Sequence, residues 1–303
     1  MEKVREPAAI AQDVLLGSLT KICQEQNDVE ISMQFECNRK FSSVEQRLDQ
    51  RSPIIKKFLL DLAKKYETPG RGVLDVACGP GNDSIYLVHG GFKVFSCDLS
   101  DGMVEEMRTC KQEFINNGCK EFENWSIFKA NMIEIDAVID SNKNLPPQYD
   151  TIVCLEAIMF LMGDQELKKL FSCFEKLLRP GGVIVVDHRN FEVMAKTGKP
   201  VNGGINPFTA VEYRHIAGVA PFAIYGPAPE QKPIAVFLAY ERPDGSNLYT
   251  TSRVFTREQI TSLAKSTFGE NCKIQILHDL KDESECPPEG TAIITYVIEK
   301  PLE

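Results

Sequence analysis

Asp75, Gly79, Gly81 and Asp98 are the residues whose types and spacing could do chemistry. They lie in Gly72-Val73-Leu74-Asp75-Val76-Ala77-Cys78-Gly79-Pro80-Gly81 and in Phe92-Lys93-Val94-Phe95-Ser96-Cys97-Asp98. The first run reads as a short buried strand entering a tight turn, the second as the next strand. Glycines at such a turn let backbone approach a ligand with no Cβ in the way. A lone Gly-x-Gly is weak evidence. Here Asp75 stands four residues before Gly79 and Asp98 nineteen after it. A carboxylate at the tip of the second strand can accept both hydroxyls of a ribose, and it repels a 2′-phosphate. The bland alternative is an aspartate capping the turn Ser100-Asp101-Gly102. The glycine loop at matching distance favours the ribose.

The same residues discriminate between nucleotide ligands. A dinucleotide loop usually carries a third glycine that packs the helix on the strand. Here Gly81 is followed by Asn82-Asp83-Ser84. Asp75 would repel a diphosphate, yet it suits a cationic amino group. Both points favour the sulfonium cofactor S-adenosyl-L-methionine over NAD or FAD.

The elements that must position these residues follow from periodicity. After the second strand come a helix over 101–117, a strand Tyr149 to Leu155, a helix over 165–178 and a strand Val183 to Asp187. This alternation predicts a parallel sheet covered by helices on both faces. Residues 7–26 read as an amphipathic helix. A second helix has Pro53 near its start and Ile54, Ile55, Phe58, Leu59 and Leu62 as its stripe. Residues 191–252 break the alternation with Gly, Pro and strand-like pieces such as Ile234 to Tyr240. The pattern resumes with a helix over 256–267 and strands Cys272 to Leu277 and Ala292 to Glu299. The expected organisation is an N-terminal helical arm (1–48), a cofactor-binding domain (49–190 and 253–303) and an inserted substrate lobe (191–252).

The 303 residues and 43% hydrophobic content suit one large α/β domain with an added lobe. A net charge of −9, without a Lys/Arg-rich run, argues against a nucleic-acid partner. There is no apolar stretch long enough to span a bilayer and no signal-peptide core at the start, so a cytoplasmic protein without a membrane partner is expected. Ten scattered cysteines without a C-x-x-C pair read as buried thiols. No metal site is expected.

These residues resemble the class I methyltransferases, and more narrowly the glycine N-methyltransferase family. The resemblance runs over 50–300. It rests on Val73 to Gly79 with Asp83-Ser84-Ile85, on Phe122-Glu123-Asn124-Trp125 leading to Ala130-Asn131-Met132, on Val186-Asp187-His188-Arg189-Asn190-Phe191 with Thr197-Gly198, and on Phe268-Gly269 with Cys272. It implies a Rossmann-like fold: a mostly parallel seven-stranded sheet with an antiparallel C-terminal hairpin. It also implies a homo-oligomer, for which the apolar-striped 7–26 helix offers an arm.

The resemblance further assigns residues. Arg51 would grip the cofactor's carboxylate in a bidentate pair, and Phe41 would lie against the cofactor. Ala77, Leu99, Met103, Asn131, Met132 and Leu155 join Asp75, Gly79, Gly81 and Asp98 around it. Arg189, with Asn190, would bind a substrate carboxylate, and Tyr240 would stand near the methyl donor. Two positions depart from the family: Glu156-Ala157-Ile158 replaces Gly-Asn-Ser, and Val44 stands in place of a tyrosine. Ala157 then offers room and an apolar wall, extended by Ile158, Met159 and Phe160 if they face the cleft. Glu156 is the candidate general base. His188 reads as a structural hydrogen-bonding residue.

The expected function is S-adenosylmethionine-dependent methyl transfer to the nitrogen of a small carboxylate-bearing amine, larger than glycine. Two alternatives stand beside it: another small-molecule nucleophile (a hydroxyl or a heterocyclic nitrogen), and a non-catalytic cofactor-binding regulator. Retention of Asp75, Gly79, Gly81, Asp98 and Arg51 weighs against the last.

Overall fold

A computed structural model describes residues 48, 52–161, 163–193, 247–282, 284–285 and 290–302, with three shorter strand segments between 214 and 241. The expected arm (1–48), Phe41, Val44 and Arg51 therefore lie outside the described residues, apart from residue 48.

The apolar strand runs alternate their side chains between two faces, and each face is covered by helices. Seven strands form the main sheet: β1 (Val73–Val76), β2 (Val94–Asp98), β3 (Trp125–Lys129), β4 (Tyr149–Cys154), β5 (Leu178–Arg189), and later β10 (Lys273–His278) and β11 (Ile293–Glu299). Their order is β10-β11-β5-β4-β1-β2-β3. β1 to β5 pair in parallel, and β11 runs antiparallel to both β5 and β10. This is the expected mostly parallel sheet with an antiparallel C-terminal hairpin.

On one face Val73, Val94, Val153 and Val185 meet α1 (Pro53–Tyr66), α2 (Asn82–His89) and α3 (Asp101–Asn116). On the other, Leu74, Phe95, Ile152 and Ile184 meet α4 (Ile135–Ser141), α5 (Asp164–Leu177) and α6 (Arg257–Phe268). Such alternation is what a period-2 strand buried on both faces requires.

Two expectations need correction. The buried stripe of α1 is Ile55, Leu59, Leu62, Ala63 and Tyr66, whereas Ile54 is 56% exposed. The contact face follows i, i+4, i+7, i+11 from residue 55, and position 54 falls outside it. β3 and α4 were not read from the sequence at all. β3 is an edge strand of mixed burial, and α4 has only seven residues, too short for a clear helical period.

Residues 214–253 supply a second, four-stranded antiparallel sheet. β8 (Pro233–Glu241) pairs with β6 (Arg214–His215), β7 (Phe222–Tyr225) and β9 (Asn247–Arg253). β9 approaches the 3-10 turn Ile158–Phe160 that follows β4. The insertion thus returns to the main domain at the carboxyl ends of the parallel strands. Among the described residues, no helix is long and apolar enough to cross a membrane, and no cluster of His, Cys, Asp and Glu could hold a metal ion.

Candidate cofactor and substrate site

The strand order reverses between β1 and β4: the chain proceeds β1-β2-β3 to one side, then returns to β4 and β5 on the other. A crevice opens at the carboxyl ends of strands at such a point. The loops after β1, β2, β3, β4 and β5 carry Ala77 to Gly81, Asp98 to Ser100, Asn131 and Met132, Leu155 to Ala157, and Arg189 with Asn190. These candidates therefore stand at one end of the main sheet, whereas Tyr240 is on β8 of the second sheet.

The loop after β1 is shaped by left-handed backbone: Ala77 has φ 52°, Gly79 57° and Gly81 81°. The two glycines do different jobs. A Cβ on Gly79 would meet nothing within 4 Å, so its bare backbone faces open space. A Cβ on Gly81 would lie 2.7 Å from Trp125 Cζ2 and 3.0 Å from Met107 Cγ. Gly81 thus seats α2 against buried Trp125, a packing task expected of a third glycine rather than of this one.

Asp98 closes the loop. Its Oδ2 accepts the Gly79 N–H at 2.9 Å and its Oδ1 the Ser100 N–H at 3.0 Å. It therefore does cap the following turn, and it also holds the glycine loop. A carboxylate offers about four acceptor positions, so each oxygen retains capacity for a hydroxyl. Desolvation raises the Asp98 pKa, against the lowering effect of these backbone donors. Leu99 beside it is 46% exposed, an apolar surface at the crevice, while Met103 is buried and donates its N–H to Ser100 Oγ.

Asp75 sits deeper than a direct ligand contact needs. It is 2% exposed, and its Oδ2 accepts Ser84 Oγ at 2.5 Å. Ser84 pairs with Ser96 at 2.6 Å, and Trp125 Nε1 donates to Ser96 at 2.7 Å. This buried relay ties β1, α2, β2 and β3 together beneath the loop. The sequence reading missed Ser96 and Trp125 as part of it; a serine facing inward on an otherwise apolar strand was the available signal. Asn131 Oδ1 accepts the Ile133 N–H, and both Asn131 and Met132 are half-buried at the end of β3.

The far side of the crevice is ionic. Glu156 adopts φ 53°, and its N–H donates to Asp187 Oδ1. Arg189 Nη2 lies 3.6 Å from Glu156 Oε1, with side chains 12% and 21% exposed. The Asn190 amide donates to Thr291 O at 3.1 Å, and its backbone N–H to Ala292 O at 2.8 Å, which anchors β5 to the start of β11. Leu155 is buried. Ala157 (3% exposed) and Ile158 (0%) pack into the core face that carries α5, so Ile158 does not extend a cleft wall. The left-handed turn at Glu156 swings the chain inward there, leaving Met159 half-buried and Phe160 exposed. For Tyr240, only the backbone, on β8, is described.

His188 is structural, as expected. Its Nδ1 lies 2.8 Å from Arg189 O and its Nε2 3.1 Å from Tyr296 Oη. Burial lowers its pKa.

Comparison with known proteins places this geometry. Residues 73–182 match the family described as Methyltransferase domain. A glycine N-methyltransferase of Mus musculus is 35% identical over 153 residues, covering 49% of this chain and 50% of that protein. A glycine/sarcosine/dimethylglycine N-methyltransferase of Actinopolyspora halophila is 27% identical over 158 residues, covering 46% of this chain and 25% of that protein. The chain spans about half the length of these glycine N-methyltransferase relatives. Among solved structures, an S-adenosylmethionine-dependent methyltransferase from Clostridium acetobutylicum superposes with a TM-score of 0.55 at 16% identity, covering 91% of this chain and 99% of that one. Residues 73–182 thus match a methyltransferase domain, and the chain carries the Rossmann-like fold of class I methyltransferases.

Proposed function

We propose that the protein is an S-adenosyl-L-methionine-dependent N-methyltransferase acting on a small amine that bears a carboxylate. The observation that carries this is that an open glycine backbone, a loop-closing aspartate and an arginine paired with Glu156 all stand at the carboxyl ends of neighbouring parallel strands. The glycine and sarcosine N-methyltransferase names of the sequence relatives support the reaction class.

The residues fit the cofactor. Gly79 leaves space where a Cβ would intrude, Asp98 keeps acceptor capacity for ribose hydroxyls, and exposed Leu99 gives an apolar face beside it. Ala77, Gly81, Met103, Asn131, Met132 and Leu155 complete the surround, and Arg51 and Phe41 would act from outside the described residues. Asp75 contributes its negative charge from beneath. The bound cofactor supplies a methyl group on a positively charged sulfur.

The chain's own contribution is placement. Methyl transfer by in-line displacement needs a neutral nitrogen held near the methyl carbon, and proximity and orientation supply most of the acceleration. Arg189 presents a guanidinium fork for the substrate carboxylate. Glu156, at the crevice edge, can accept a proton from an incoming ammonium. Tyr240 on the second sheet, the proposed substrate lobe, completes the substrate side, while Ala157, packed in the core, and Asn190, bonded to Thr291, support it from behind. We place the protein in the cytoplasm as a homo-oligomer using its N-terminal segment, without nucleic-acid partners.

The test is transfer of labelled methyl from adenosylmethionine across a panel of amino acids and amines, with adenosylhomocysteine binding measured by calorimetry. Turnover on amino acids, best on one larger than glycine, is expected. Absence of cofactor binding refutes the reading, and glycine as best substrate refutes the size argument.

A further inference from the structure

We propose that Glu156 is a specificity-determining residue. Its carboxylate occupies Arg189 as an internal stand-in for a substrate carboxylate, so that the site admits zwitterions and discriminates against simple carboxylates. This rests on the reading of Arg189 as the substrate's carboxylate anchor.

The two residues are brought together by the sheet. Glu156 lies two residues beyond the end of β4, and Arg189 is the last residue of β5, the parallel neighbour of β4. Their closest charged atoms are 3.6 Å apart. That separation is an ion pair but not a charge-assisted hydrogen bond, which closes to about 2.7–2.9 Å. The pair is therefore attractive yet loose, and a ligand carboxylate can compete with Glu156 for the guanidinium.

The backbone at Glu156 is held in its turn at a cost. A non-glycine residue at φ 53° is disfavoured, and such conformations persist where the surroundings impose them. Here the Glu156 N–H is fixed by buried Asp187. A glycine would satisfy the turn without strain. The glutamate keeps the turn and adds a negative charge at the arginine.

Charge then sets the selection. Once a ligand carboxylate takes Arg189, the attraction between Arg189 and the partly buried Glu156 carboxylate is shared with a second anion. A ligand ammonium restores a cation beside it, whereas a simple carboxylate leaves two negative groups around one arginine. Like charges in a partly desolvated site oppose binding.

The experiment compares matched pairs, glycine with acetate and alanine with propionate. Each is titrated calorimetrically into the full chain with and without adenosylhomocysteine. Glu156→Gln is expected to tighten acetate and propionate roughly five- to tenfold, while the amino acids gain nothing or weaken. The amino-acid preference should therefore collapse by about the same factor. Glu156→Gly, which relieves the turn, should behave alike and guards against a folding artefact of the first variant. In an Arg189→Ala background, the Glu156→Gln effect should vanish. An unchanged preference ratio, weaker carboxylate binding in both variants, or no binding of any of the four ligands to any variant overturns the proposal. Methyl transfer assayed in parallel on the wild-type chain judges the proposed function separately.

Discussion

Replacing each loop glycine by alanine should separate packing from ligand binding. At Gly81 the new Cβ meets Trp125 Cζ2 at 2.7 Å and Met107 Cγ at 3.0 Å, both on fully or nearly fully buried side chains. Forcing a methyl into a filled core costs roughly 1–3 kcal/mol. The left-handed φ of 81° adds roughly 1–2 kcal/mol for a residue with a Cβ. Gly81→Ala should thus lose about 2–5 kcal/mol, a large share of a typical total of roughly 5–15 kcal/mol. Gly79→Ala carries only the backbone contribution, about 1–2 kcal/mol, because nothing lies within 4 Å of its Cβ. Its methyl instead projects where the cofactor is proposed to lie, so adenosylhomocysteine affinity should fall at least roughly tenfold, or about 1.4 kcal/mol. Trp125 is the only tryptophan of the chain and packs at Gly81 itself. Urea unfolding followed by its fluorescence and by circular dichroism gives the stabilities, and calorimetry gives the affinities. A Gly81→Ala protein as stable as wild type, or a Gly79→Ala protein that binds normally, would refute the division of labour.

Other outcomes follow from the same geometry. Asp98→Ala should weaken adenosylhomocysteine by on the order of 1.5–3 kcal/mol, since ribose acceptors and the Gly79 tether go together; unchanged affinity by calorimetry removes Asp98 from the site. Arg179→Ala should destabilise the fold by about 3–5 kcal/mol, because Arg179 Nε holds Asp150, whose side chain is 3% exposed, at 2.6 Å. A loss below about 1 kcal/mol in denaturant titration would contradict the burial argument. Burial keeps His188 neutral when folded, below its ordinary pKa of 6.5. The unfolded chain then binds the extra proton, so this contribution to stability falls as pH drops below about 6.5. A His188→Gln variant should show a flatter melting-temperature profile between pH 5 and pH 7; an identical slope would clear His188. Arg189→Lys should lose most turnover while cofactor affinity stays near normal, because an ammonium cannot reproduce the fork; intact turnover defeats the carboxylate assignment.

The sequence alone determined much of the fold. Short apolar runs carrying Asp75 and Asp98, separated by a glycine turn and followed by further alternating strand and helix patterns, admit few arrangements other than a parallel sheet under helices. The strand-end positions of Gly79, Asp98, Leu155 and Arg189 were legible for the same reason: a parallel sheet gathers the carboxyl ends of its strands along one edge. Where periodicity was weak, as at edge strand β3 and short α4, the sequence was silent. Burial there depends on neighbours distant in the chain.

Only the tertiary structure decided which partner each side chain meets. Gly79 and Gly81 look alike in sequence, yet one faces open space and the other Trp125, a contact with β3 far along the chain. Asp75 looked like a ligand-facing charge, but it is buried and accepts from Ser84, the first link of a chain through Ser96 to Trp125. Glu156 follows β4 and Arg189 ends β5, and only the register of β4 against β5, with the left-handed turn after β4, sets one against the other. Local pattern fixes which face of an element is apolar, whereas the distances that decide chemistry are set across elements and have no signature in any single window of sequence.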